Sequence, residues 1–360
     1  MSASSARRLL VVAAICLSAL VGLAPTASAG VANASLPGAS AANPLKGLPW
    51  GVYRGPVDNI YTAYQSASGP QRALLARIAL RPLMFWFGVW YDDSSAQNAV
   101  SQYISDVTRG NPNVLVQIAV FRLQPWEGAS CRRLASPAEQ ASYKRWIDRF
   151  AAGIGPTRVA MVLQPDLPFA FCNPDGGRIA LSLVSYAARV FNALPHTSVY
   201  IDAGAADWYR VGQTVSMLRR AGITGVRGFS LNNTHFDSNS NELRFGARVS
   251  RALAAAGVPG KHFVINTAEN GSGWAWQQYH GDHGNPRVCR TAADWPCETL
   301  GIPPTTNVTD PRLHLSRAAA RAARRWCDAY LWVGRPWLDN GAWPFDLTRT
   351  LALARSTPFP

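Results

Sequence analysis

Short apolar runs, rich in β-branched and aromatic residues, recur along the chain and are separated by longer amphipathic stretches. Such runs are typical of buried strands, and the stretches between them show helical spacing of apolar positions. The runs are residues 83–89, 114–121, 159–163, 199–201, 228–231, 263–265 and 329–333, and the clearest amphipathic stretches are residues 139–154, 178–194, 211–221 and 242–256. Strand alternating with helix predicts an α/β domain built on a parallel sheet, either open or closed into a barrel.

The first part of the chain has the pattern of an export signal. Arg7 and Arg8 precede a continuous apolar stretch, residues 9–24, and small residues follow up to Ala29. We therefore expect a signal peptide over residues 1–29 that is cleaved near Ala29, with a membrane anchor as the alternative. Residues 30–43 are rich in Ala, Ser, Gly and Pro and are expected to be a flexible leader. Residues 44–360 would then form a single catalytic domain, secreted and without a membrane span.

Composition argues against two classes of partner. The formal net charge is +14, but the basic residues are scattered and no nucleic-acid-binding motif accompanies them, so we expect no nucleic-acid partner. The chain has six cysteines, and loss of Cys16 with the signal leaves an odd number. Cys289 and Cys297 lie near two histidines at a spacing unfamiliar for zinc, so we expect no metal and no cofactor.

Polar side chains follow the predicted strands. Because the carboxyl ends of parallel strands meet at one rim, these side chains are expected to lie together where α/β barrels place their active sites. One Asp after a strand is more often a helix cap, but several at one rim favour a site. They are Asp166, Asp202, Asn232, Asn233, Asn266 and Asp339.

Tryptophan is frequent, with thirteen residues. Some of these side chains belong to the core, but several lie in or beside the loops that carry the acids. Indole rings next to carboxylates suggest stacking against the apolar faces of sugar rings. The loop-borne residues are Trp86, Trp126, Trp208, Trp274, Trp276, Trp295 and Trp337.

Six segments, in order, resemble the motifs of glycoside hydrolase family 6. Each motif is weak alone, but their common order covers nearly the whole mature chain. Residues 162–166 (VLQPD) resemble (V/I)-x-E-P-D, and residues 200–208 resemble Y-x-D-A-G-H-x-x-W. Residues 228–232 (GFSLN) resemble G-F-x-x-N, and residues 264–273 (VINTAENGSG) resemble V-I-D-T-S-R-N-G-x-G. Residues 301–306 and 328–333 resemble the two segments that lead to W-(V/I)-K-x-P-G-E-S-D-G.

The resemblance implies a distorted, incomplete α/β barrel of about seven strands that cleaves β-1,4-glucans with inversion. An inverting enzyme needs a protonated carboxyl as general acid and a second carboxylate that activates water. By the motif match Asp166 is the acid, Asp339 is the candidate base, and Asp202 holds the acid loop.

The same resemblance implies substrate contacts and one disulfide. Trp86, Trp208 and Trp295 match sugar-stacking positions, and either Asn232 or Asn233 matches an amide that faces the substrate. Trp337, in a loop, is a further candidate for substrate binding. Cys131 and Cys172 match a family disulfide. Cys297 matches one half of a second bridge, for which either Cys289 or Cys327 could be the partner.

Several departures from the motifs fall on positions that carry chemistry. The Asp expected before the first bridging Cys is replaced by Ser130, and Glu127 could substitute only if its loop folds inward. Other replacements are Gln164 for Glu, Ala205 for His, Asn266 for Asp, Glu269 for Arg and Gly334 for the sugar-binding Lys.

These observations lead to a prediction of a secreted, monomeric endo-β-1,4-glucanase whose partner is a β-glucan. Internal cleavage is favoured because the chain after Asp339 is too short for a large roof over the cleft. The alternative is a catalytically impaired relative that binds glycan. A serine hydrolase is excluded because the chain has no G-x-S-x-G motif.

Overall fold

The computed structural model describes residues 42–56 and 59–359. The expected signal peptide lies outside the described residues, as does all of the expected leader except its last two residues. Across the described ranges, no helix combines the length and the apolar character needed to cross a membrane.

The sheet contains seven parallel strands that are hydrogen-bonded in sequence order. They are β1 Phe85–Gly88, β2 Val116–Phe121, β3 Val159–Leu163, β4 Thr197–Asp202, β5 Gly228–Leu231, β6 His262–Asn266 and β7 Cys327–Leu331. Beside the two edge strands, an isolated parallel bridge joins Leu83 to Trp332. The predicted incomplete barrel of about seven strands is confirmed, although β7 begins and ends two residues earlier than the apolar run 329–333.

Helices connect successive strands on the outside of the sheet. In the described chain they are α1 Ile60–Ser66, α2 Gly69–Ala79, α3 Ala96–Thr108, α4 Glu127–Ser130, α5 Pro137–Ile154, α6 Arg178–Asn192, α7 Val211–Arg220, α8 Asn239–Ala255, α9 Arg317–Trp326 and α10 Leu347–Ser356. The four predicted amphipathic stretches become α5 to α8. Ser136 begins α5 with a reciprocal cap to Glu139, which satisfies two backbone N–H groups at the helix start.

Side chains of each strand alternate between two apolar clusters. On β3, Val159, Met161 and Leu163 pack against the helices, whereas Ala160 and Val162 point into the barrel. Both faces of the strand are therefore buried, which explains why it appears in the sequence as a continuous apolar run. Small side chains inside the barrel allow its strands to close on each other, among them Ala119, Ala160 and Ala329.

Two disulfides are present among the described cysteines. Cys131 pairs with Cys172, as the resemblance implied. Cys289 pairs with Cys297, which settles the partner that the sequence left open. Cys327 is a buried free thiol at the start of β7.

A buried ionic network joins the strands at the end of the barrel opposite the polar rim. Asp328 on β7 is 1% exposed and accepts two hydrogen bonds from the guanidinium of Arg227, at 2.8 and 2.9 Å. It also accepts one from Tyr200 on β4, at 2.7 Å, and lies 3.3 Å from His262 on β6. Burial acts to raise the pKa of Asp328, but Arg227 and His262 outweigh it and hold the pKa below its ordinary value.

We expect Asp328→Asn to lower the free energy of unfolding by about 3–5 kcal/mol, because it leaves the Arg227 charge buried without its partner. In the native protein, the contribution of Asp328 to the free energy of unfolding should be lost as pH falls through its depressed pKa, since the folded state favours the ionised carboxylate. Urea denaturation at several pH values measures both effects. Asp310→Asn is the control, because Asp310 pairs with the exposed Arg312 and its substitution should cost far less stability. Equal losses for the two variants would contradict the assignment.

Candidate active site

The carboxyl ends of the strands surround a cavity of about 360 Å³. Every strand except β4 contributes a residue at or shortly after its end. The lining includes Trp86, Phe121, Asp166, Asn233, Glu269, Glu298 and Gly334. The side chains that the sequence placed at a common rim are thus largely brought together, as parallel strand ends require.

Asp202, at the end of β4, connects three loops of this rim. Its carboxylate accepts backbone N–H bonds from Leu167 and Gly204, both at 3.2 Å, and a short bond from the amide of Asn233. Asn233 in turn accepts a 2.6 Å bond from Ser230 on β5. Burial raises the pKa of Asp202 to about 7, against the opposing effect of these donors. Asp202 is 1% exposed and acts beneath the cavity rather than in its lining.

Asp166 follows β3 and points into the cavity. Its backbone adopts a left-handed conformation with φ +63°, which is uncommon for a residue other than glycine. The Thr234 hydroxyl donates a 2.7 Å hydrogen bond to its carboxyl. Burial raises the pKa of Asp166 to about 8, and the negative charges of Asp202 and Glu127 add to this increase, while the Thr234 bond opposes it. A carboxyl with this pKa is protonated near neutral pH and can donate its proton.

Other strained residues lie around Asp166. Gln164 and Glu127 have φ values of +57° and +45°. The Gln164 side chain accepts backbone N–H bonds from Arg122 and Leu123, both at 3.1 Å, and so ties the loop after β2 to the loop after β3. Each such conformation costs on the order of 1–3 kcal/mol and persists only where its surroundings fix it.

The loop after β2 folds towards Asp166. Glu127 begins α4 and lines the cavity with Asp166. Partial burial raises the pKa of Glu127. Ser130, at the position where the family motif has Asp, donates a 2.7 Å hydrogen bond to the Glu127 carbonyl and thereby stabilises the turn. The inward fold that Glu127 would need to approach the acid is therefore present.

A second cavity of about 430 Å³ lies on the other side of Asp166 and Glu127. Aromatic rings form its wall: the His235 ring stacks on Trp208 at 4.4 Å between centroids and lies 4.9 Å from Trp276. Trp276 also lines the first cavity, and 39% of its surface is exposed. Burial lowers the pKa of His235 to about 4, so this ring is neutral near pH 7. Asp166 thus lies between two cavities with tryptophan in each wall.

The predicted site residues fall into two groups. Asp166, Asn233 and Trp86 line the first cavity, Trp208 lines the second, and Asp202 supports them. The others lie elsewhere. Asn232 is fully buried and hydrogen-bonded to backbone groups, Trp337 is 0% exposed in the core, and Trp295 borders a separate depression. Asp339 accepts a 2.7 Å bond from Asn285 and lies beside the cavity, between the lining residues Leu338 and Asn340.

Sequence reasoning did not select Thr234, His283 or Glu298 as site residues, and it named Trp276 only among the loop-borne tryptophans. The structure places all four in the cavity walls. Their loops carry no motif that distinguishes them from ordinary surface residues. Glu269 was noted only as a departure, yet it lines the first cavity. Among the described residues, no group of three or more His, Cys, Asp or Glu side chains is arranged to hold a metal ion.

Comparison with known proteins gives consistent matches. The family model described as "Glycosyl hydrolases family 6" matches residues 52–337. Endoglucanase A of Cellulomonas fimi is 34% identical over 241 residues, which are 66% of this chain and 49% of that protein. Endoglucanase 1 of Streptomyces halstedii is 30% identical over 249 residues, 68% of this chain and 76% of that protein. The chain thus spans about half the length of the first relative and three quarters of the second.

Among solved structures, the endoglucanase Cel6 from Mycobacterium tuberculosis is 26% identical, with a TM-score of 0.70. The match covers 87% of this chain and 98% of that one, whose structure contains a methyl-cellobiosyl-4-deoxy-4-thio-β-D-cellobioside. The catalytic core of the cellobiohydrolase Cel6A from Chaetomium thermophilum is 20% identical with a TM-score of 0.65, and this match supports the fold.

We expect Asp202→Asn to flatten the pH dependence of stability. The pKa of Asp202 rises from an ordinary value of about 3.9 to about 7 on folding, so the native state loses stability as pH rises through this window. An amide at this position does not titrate. The part of the slope of stability against pH that Asp202 causes should therefore disappear. Denaturation at a series of pH values tests this. An unaltered slope for Asp202→Asn would refute the expectation.

Proposed function

The chain belongs to glycoside hydrolase family 6, and from this membership we propose that it hydrolyses internal β-1,4 bonds of cellulose or a related β-glucan with inversion. The observation that carries the proposal is the position of Asp166. A largely buried carboxyl, protonated near neutral pH, lies between two cavities with tryptophan in their walls. A glucan chain that crosses from one cavity to the other would place its glycosidic oxygen beside this proton.

In the proposed mechanism Asp166 donates its proton to the leaving oxygen as the bond breaks. General acid catalysis of this kind contributes about 10²–10⁴-fold to the rate. The Thr234 hydroxyl and the Asp202 network hold the carboxyl in position. Tryptophan rings bind the sugars on either side, Trp86 in the first cavity and Trp208 with Trp276 in the second.

An inverting reaction also requires a carboxylate about 6.5–9.5 Å from the acid to activate water. We propose Asp339 for this role, acting through a relay water because its carboxylate lies beside the cavity lining and is held by Asn285. Burial is the main cause of the high pKa of Asp166, and Glu127, which lines both cavities, would instead add to it through its negative charge. This assignment gives Glu127 part of the electrostatic role of the Asp that is absent at Ser130.

Internal cleavage fits the course of the chain after Asp339. Asn340, Gly341 and Ala342 line the cavity, and α10, which packs against α2, contributes only Arg349 to the lining. The Arg77 side chain of α2 donates a 2.9 Å hydrogen bond to the Ala354 carbonyl of α10. Endoglucanase A of Cellulomonas fimi, which is 34% identical, and Endoglucanase 1 of Streptomyces halstedii, which is 30% identical, are both named endoglucanases.

We further propose that the protein is exported after cleavage near Ala29 and acts as a monomer, with residues 44–360 as its catalytic domain. Two disulfides are consistent with an oxidising compartment.

We expect Asp166→Asn to lower the hydrolysis rate of swollen cellulose and cellohexaose by about 10²–10⁴-fold, since the amide cannot donate the proton. Native activity should fall as pH rises through about 8, where Asp166 loses its proton. New reducing ends, viscosity of a soluble glucan and the anomeric form of the first product by NMR provide the measurements. Asp175→Asn controls for general loss of stability. If Asp166→Asn and the native protein bind glucan equally and hydrolyse none, the protein is a glycan-binding relative and the proposal fails.

We expect Glu127→Gln to shift the alkaline limb of the pH–rate profile to lower pH, because removal of its charge lowers the pKa of Asp166. Asp339→Asn should leave that limb in place and reduce the rate by about 10²–10⁴-fold as expected for a base. The profile of kcat/KM against pH measures both effects. The reverse result, with a large rate loss in Glu127→Gln and none in Asp339→Asn, would transfer the role of base to Glu127.

A further inference from the structure

The turn after β1 carries a tryptophan that none of the sequence motifs includes. Trp90 is 53% exposed and lines the first cavity together with Trp86, which lies on β1. Trp90 is absent from the lining of the second cavity. The two rings are therefore on the same side of Asp166, and Trp90, the more exposed of them, lies nearer to the mouth of the first cavity.

The end of β1 supports the Trp90 ring. A Cβ atom at Gly88 would lie 2.6 and 2.7 Å from two atoms of this ring, Cζ3 and Cη2. Both atoms belong to the six-membered part of the indole, which therefore rests directly on the glycine. The ring has a firm support on this side, while about half of its surface stays accessible from the cavity and the solvent.

The turn itself is anchored to α5. The backbone carbonyl of Tyr91, the residue after Trp90, accepts a 2.9 Å hydrogen bond from the indole N–H of Trp146. Asp93, two residues further on, accepts a 2.6 Å hydrogen bond from the hydroxyl of Ser142. An aromatic ring on a backbone that is already fixed loses little conformational freedom when it binds a ligand, and this favours binding.

A fixed and accessible indole in the wall of a sugar site is suited to stacking. The C–H faces of a glucose ring are apolar, and contact with an indole face removes them from water. A single exposed tryptophan on a protein surface is ordinary, but Trp90 continues a wall that also contains Trp86 and Asp166. This continuity identifies the ligand of Trp90 as the same chain that occupies the cavity.

We propose that Trp90 forms an outer sugar-binding site of the first cavity and makes the protein selective for β-1,4-glucan chains long enough to reach beyond Trp86. The inference deepens the proposed function and rests on it, because it takes the first cavity as a sugar site. A short chain that spans Asp166 and ends at Trp86 does not contact Trp90. A longer chain gains a second stacked sugar on this side of Asp166, so its affinity is higher.

The test measures binding of cellotriose and cellohexaose by calorimetry in an Asp166→Asn background, which should preserve the ligands. We expect Trp90→Ala to weaken cellohexaose binding about tenfold, as truncation of a contacting tryptophan does, and to change cellotriose binding by less than about twofold. Trp90→Phe retains a flat ring and should retain most of the cellohexaose affinity. Leu80→Ala is the control, because it truncates an apolar side chain that is 40% exposed and lines neither cavity. It should bind both ligands as its parent does.

Unchanged cellohexaose affinity in Trp90→Ala would overturn the proposal. An equal loss for both ligands would also overturn it, because the ring would then support the whole cavity rather than an outer site, and so would a loss in Trp90→Phe as large as in Trp90→Ala. Hydrolysis of cellohexaose by the native protein is measured separately. If the native protein hydrolyses no glucan but its cellohexaose affinity depends on Trp90, the proposed activity fails and this inference stands. Hydrolysis together with an affinity that is independent of Trp90 refutes this inference alone.

Discussion

The hydrogen bonds of one buried carboxylate, Asp202, determine how the rim of the barrel is arranged. Leu167 belongs to the loop that carries Asp166, Gly204 to the loop after β4, and Asn233 to the loop after β5, and all three donate to it. Parallel strands bring these loops to the same end of the sheet, but they do not fix the loop conformations. The shared acceptor does so, and it places the side chain of Asp166 between two cavities.

This arrangement also explains how the strained backbone at the site is maintained. Asp166 and Gln164 both adopt left-handed conformations within three residues, a combination that an isolated loop would avoid. Gln164 compensates by accepting the N–H groups of Arg122 and Leu123, and Asp202 secures the following residue Leu167. Strain is thus opposed by hydrogen bonds on both sides of Asp166. The result is a half-buried carboxyl that lines both cavities, and its burial raises its pKa.

The fold could be predicted from the sequence further than the site could. Strands such as β3 are buried on both faces, so their apolar runs identify them without knowledge of the neighbours. The motifs likewise located Asp166 and the Cys131–Cys172 disulfide. The roles of tryptophans depend instead on long loops, and composition does not distinguish the buried Trp337 from the exposed Trp276. The position of Asp339 beside the lining, rather than in it, likewise depends on a contact with Asn285 from a distant loop.

Two of the departures from the family motifs are coupled by packing. Glu269 stands where the motif has Arg and Gly334 where it has Lys, and the carboxyl of the first occupies the space of the side chain missing from the second. A side chain at position 334 would meet the Glu269 carboxyl, so Glu269 would have to move its carboxyl to make room for it. The altered charge of the cavity wall is therefore a joint property of both residues, with Asn266 orienting the carboxyl that results.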